Sequence, residues 1–141
     1  MKAHFDFPLA GVSFTAAISK KILSEPLPDE NAASRLKQIA FITIVYQLQA
    51  ANVEATYAEL KRVTGLPRAS MTHFAAPLLR RGLLEERRVL NSAGRGHSHA
   101  LFVPGVVLDG LAPDGFARRP SIQWLQLSRL GLLSFLIDLQ V

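Results

Sequence analysis

Phe14, Ile18 and Ile22 stand four residues apart, a spacing that predicts an amphipathic helix over residues 13–23. Pro26 and Pro28 close that pattern, and Asp29 or Asn31 can cap a long second helix running to about residue 50. Its middle, residues 39–46, is apolar almost all round, which predicts burial between several neighbours. Thr56 to Glu59, T-Y-A-E, then has the form of a capping box. In that form the threonine hydroxyl accepts from the Glu59 amide and the Glu59 carboxylate reaches back. The helix it opens is expected to end near Thr64, because Gly65 tolerates the left-handed backbone of a tight turn. Pro67 suits the opening of a further helix, where no amide donor is required. Leu60, Leu66, Met71 and Phe74 fall where two crossed helices must share a core, and Arg68, Ala69, Thr72 and His73 fall on the outward face.

Residues 83–90 and 97–103 are spaced to pair as a hairpin across 91–96. A capped helix, a glycine turn, a second helix with small polar and basic residues at its start and a basic hairpin have the layout of a winged helix-turn-helix. The expected fold class is therefore mainly α with a small β-hairpin wing (α+β), with N- and C-terminal helices for dimerisation. Pro77 conflicts with this pattern. An interior proline removes the bond to the His73 carbonyl at a cost of about 3 kcal/mol, so a kink or an early end and restart is expected there. The segments are then 1–28, an extension with a short helix; 29–104, the DNA-binding domain; 105–120, a linker; and 121–141, a dimerisation helix. The linker is inferred from the three prolines and three glycines of 104–120. In 121–141, Gln123, Gln126, Ser134 and Asp138 share one side while Trp124, Leu125, Leu132, Leu133, Leu136 and Leu139 cover the rest, a surface that requires a partner. Arg129 and Asp138 make membrane insertion of that helix costly.

With 141 residues, 49% hydrophobic content and a mean hydropathy of +0.20, a disordered chain is excluded and one domain with appendages is expected. The distribution of charge matters more than the net +5. Between residues 52 and 100 eight cations face four anions, a net +4, whereas the remainder carries +1. Positive charge concentrated on one region is the expected footprint of phosphate contact, with double-stranded DNA as the partner. No cysteine is present, which excludes disulfides and thiolate chemistry. His4 and Asp6 interrupt the N-terminus and Lys20 and Lys21 follow its apolar stretch, against a signal peptide. A cytoplasmic protein is expected.

Arginine can bond both guanine acceptors and threonine can meet a thymine methyl, so Arg68, Thr72 and His73 are candidate base readers. Arg81 is a candidate for phosphate, in competition with pairing of Arg80 and Arg81 to Glu85 or Glu86. Arg87 and Arg88 alternate faces on a strand, so one of them is expected to meet phosphate. Arg95, between Gly94 and Gly96, suits insertion into a narrow minor groove. His97 and His99 share a strand face, but no carboxylate or cysteine stands near in sequence to complete a metal site. His97 is therefore assigned to a polar, phosphate-facing edge. No nucleophile elbow, phosphate-cradling glycine loop or apolar carboxylate pair is present, so no enzyme activity and no cofactor are expected.

From Thr56 to Val103 the chain resembles the MarR family of bacterial transcriptional regulators. The resemblance is carried by A-E-L at 58–60, T-G-L at 64–66, R-A-S-M-T at 68–72, L-L-R-R-G-L-L-E-E-R at 78–87 and G-R-G at 94–96. It implies a homodimer with interlocked terminal helices straddling a palindromic site, acting as a repressor and releasing DNA on binding a small anionic or phenolic effector. Carried over, the base-reading positions are Arg68, Ser70, Thr72 and His73, and the wing arginine is Arg95. Asn91, Ser92 and Ala93 stand where the family places an aspartate ahead of the tip arginine. Two other roles stay open on the same fold: a protein-interaction module, and a plasmid or phage replication or partition factor.

Overall fold

In the computed structural model, which describes residues 9–91 and 93–111, the stripe Phe14, Ile18 and Ile22 lies buried on α1 (Leu9–Ser24). Its partner is α2 (Ala32–Ala50). The N-cap of α2 is Asn31, whose Oδ1 accepts from the Ser34 amide at 2.7 Å and so satisfies a donor of the first turn. Phe14 stacks on Tyr46 with ring centroids 4.1 Å apart. Phe41, Ile42 and Val45 carry the buried side of α2 into the same cluster as Leu60, Met71, Leu78 and Leu101. The Phe14, Ile18 and Ile22 face is therefore consumed inside this core.

After α2 the chain forms β1 (Ala55–Thr56), α3 (Tyr57–Thr64), α4 (Arg68–Arg80), β2 (Glu85–Leu90), β3 (His97–Phe102) and α5 (Gly105–Leu111). The described residues are thus mainly helical with a small three-stranded antiparallel sheet, ordered β1-β3-β2. Thr56 Oγ1 caps α3 by accepting from the Glu59 amide at 3.2 Å, but the Glu59 carboxylate turns to Arg62 and does not close the box. Gly65 ends α3 at φ 72°, left-handed as the turn requires, and its amide bonds the Lys61 carbonyl at 2.8 Å. Gln49 ties α2 to the end of β3, accepting from the Val103 amide at 2.8 Å and donating to its carbonyl at 3.0 Å.

Three features depart from the sequence pattern. The two-residue β1 was not anticipated; it pairs Ala55 with Leu101 and Thr56 with Ala100. Residues 105–111 form α5 instead of the start of a linker, opening after Pro104, whose fixed φ suits the entry to a helix. α4 runs through Pro77 as one α-helix without an early end. The pyrrolidine ring is buried, and its transfer from water offsets part of the lost hydrogen bond. The expected linker from residue 112 and the dimerisation helix 121–141 lie outside the described residues. Among the described residues no helix is long and apolar enough to cross a membrane.

Candidate nucleic-acid interface

α4 separates its faces cleanly. Met71, Ala75 and Leu78 are buried, while Arg68, Ala69, Thr72 and His73 are exposed and Ser70 is half-buried. No acidic residue occupies the first turn of α4, so nothing in that turn opposes an anion. Arg68 reaches back over α3, its guanidinium carbon 4.4 Å from the centroid of the Tyr57 ring. Burial pushes the Tyr57 phenol up, and the nearby Glu86 carboxylate adds to the shift against smaller opposing effects of Arg68 and the adjacent Thr72 hydroxyl.

The register divides the hairpin. Arg88 pairs with His99, Leu90 with His97 and Glu86 with Leu101, so these side chains share one face. Arg88 is exposed and forms no ion pair among the described residues. His97 is exposed beside it, and His99 Nδ1 lies 3.1 Å from Glu86 Oε1. Arg87 is on the other face. There it bonds the Glu54 carboxylate at 2.8 Å and packs over Phe102 at 5.1 Å, an exposed pairing that competes with phosphate for its charge.

At the tip, Asn91 Oδ1 accepts from the Arg95 amide at 3.1 Å while its Nδ2 donates to the Arg95 carbonyl. The Asn91 amide in turn donates to the Gly96 carbonyl at 3.2 Å. Gly94 and Gly96 adopt φ of 68° and 93°, which lets the backbone close tightly around the exposed Arg95. Sequence reasoning did not assign Asn91 a role, although an asparagine opening a glycine-rich turn is a signal for side-chain bonding to the backbone. Tyr57 had no such signal, because its contact with Arg68 crosses a turn between two helices.

Arg81 departs from the expected phosphate contacts. Its side chain is only 6% exposed, paired with the Glu30 carboxylate, with Nε 3.2 Å from Gln38 Oε1 and Nη1 2.6 Å from the Glu25 carbonyl. Every arm of the guanidinium is committed inside the protein, so it cannot meet phosphate. Arg80 pairs with Asp29 at 3.6 Å, and neither arginine turns to Glu85 or Glu86. Arg62 bonds Glu59, whose carboxyl the arginine holds below its ordinary range. What remains as free positive charge in this region, among the described residues, is Lys61, Arg68, Arg88 and Arg95. No group of three or more His, Cys, Asp or Glu side chains converges among the described residues. Comparison of the chain with family models, characterised proteins and solved structures finds no match.

Proposed function

We propose that the chain is a winged helix-turn-helix protein that binds double-stranded DNA and regulates transcription. The observation that carries this reading is the sorting of the basic residues. Arg62, Arg81 and Arg87 are tied to carboxylates, while Lys61, Arg68, Arg88 and Arg95 are left open on the α3–α4 and hairpin surfaces. The exposed face of α4 reads base edges in the major groove through Arg68, Thr72 and His73, with Ser70 at its margin. Lys61 and Arg88 hold phosphate, His97 borders that strip, and Arg95 enters the flanking minor groove.

The sequence resemblance to MarR regulators extends the proposal to a homodimeric repressor on a palindromic site. Fluorescence anisotropy with DNA fragments, followed by selection from random duplexes, tests the division of roles. Arg68→Ala is expected to relax sequence preference, and Arg88→Ala to weaken binding to all sequences alike. Identical behaviour of the two variants would refute that division, and no binding by the intact protein would refute the function.

A further inference from the structure

We infer that Tyr57 is a positioning residue that fixes Arg68 for guanine recognition, making the phenol ring a determinant of sequence specificity. This inference rests on the DNA-binding reading and names the base that the site prefers. The distinguishing observation is that Arg68, like Arg88 and Arg95, keeps its donors free among the described residues, yet its guanidinium alone of these three rests on an aromatic ring. Arg62, Arg81 and Arg87 donate to carboxylates, whereas Arg68 donates no hydrogen bond to any described residue and makes no ion pair with one. Its guanidinium is nonetheless held, 4.4 Å from the centroid of a ring that is itself only 8% exposed.

A cation packed over an aromatic face loses rotamer freedom without using its edge N–H groups. Those donors remain in their planar fork, the geometry that matches O6 and N7 of guanine. The ring is anchored at the first residue of α3, directly after the Thr56 cap. Glu86 lies near the same phenol, with Oε1 3.1 Å from His99 Nδ1, and forms no ion pair with Arg68. An arginine without this shelf would have to be ordered during binding, and its discrimination would fall.

The test compares Tyr57→Phe, which keeps the ring, with Tyr57→Leu, which removes it. Base preference is read by selection from random duplexes, and affinity for unrelated DNA by anisotropy. Tyr57→Phe should keep the guanine preference that Arg68→Ala abolishes. Tyr57→Leu should lower that preference about fivefold while leaving affinity for unrelated DNA unchanged. Undiminished guanine preference in Tyr57→Leu overturns the inference and leaves DNA binding standing. Absence of DNA binding by the intact protein sinks the parent reading instead. In the free protein, NMR should show ring-current-shifted Arg68 side-chain protons and a restrained Nε–H. Unshifted, freely rotating Arg68 signals overturn the inference even if Tyr57→Leu fails to fold.

Discussion

Arg80 and Arg81 are neighbours of one residue type, yet one lies on the surface and the other inside. Local spacing offered both of them Glu85 and Glu86, but the partner of Arg81 is Glu30, 51 residues away in the chain. No helical or strand period reports such a pair, which is why Arg81 and Arg87 looked available in the sequence. Arg68, Thr72, His73 and Arg95 were legible because a helix wheel and a glycine-flanked tip expose them whatever the rest of the chain does. At this scale the tip offers a direct prediction. Asn91→Ala removes both side-chain bonds to the Arg95 backbone and should cost about 0.5–1.5 kcal/mol of stability, measured by urea denaturation. DNA affinity should fall as far in Asn91→Ala as in Arg95→Ala, and the double variant should fall little further. Additive losses in the double variant would mean that Asn91 does not act through Arg95.

Among the elements, α2, α3, α4 and the hairpin could be anticipated from caps, turns and periodicity. β1 could not, because two residues carry no period and their pairing depends on β3 arriving from some 45 positions downstream. α5 was hidden by the proline and glycines that surround it, residues that mark a loop as readily as a short helix. The network of Arg81, Glu30 and Gln38 joins the end of α4 to the start of α2, and Arg81 also bonds the Glu25 carbonyl just beyond α1. Burial opposes the charge on Glu30. The Leu27 amide, Gln38 and Arg81 outweigh that effect and hold its carboxyl below the ordinary value of 4.5. The folded protein therefore gains stability from ionised Glu30 above that value and loses it as pH falls through the lowered one. Urea denaturation should show this acid-side loss, and Glu30→Gln should flatten it while being less stable at neutral pH. An unchanged acid profile in Glu30→Gln would show that another carboxylate governs it. Arg81→Ala leaves the carboxylate buried with its cation removed and should cost about 3 kcal/mol in the same assay.

For the whole molecule, the apolar stripe of α1 belongs to the core of the described unit. The charge that looked like eight cations in the sequence reduces to four open ones, Lys61, Arg68, Arg88 and Arg95, and that reduction gives the DNA-binding claim a quantity. Each cation that neutralises a phosphate releases counterions; of the four, Lys61 and Arg88 are the proposed phosphate contacts, so two give a slope of log affinity against log salt of about −1.8 per chain, and about −3.6 for a dimer with both copies engaged. The most direct measurement is that slope, taken by fluorescence anisotropy on a duplex between about 50 and 200 mM salt. A linear decline near either value is the expected result, with the steeper one marking two bound chains. Affinity that does not change with salt, or no binding across the range, would contradict DNA binding by this surface.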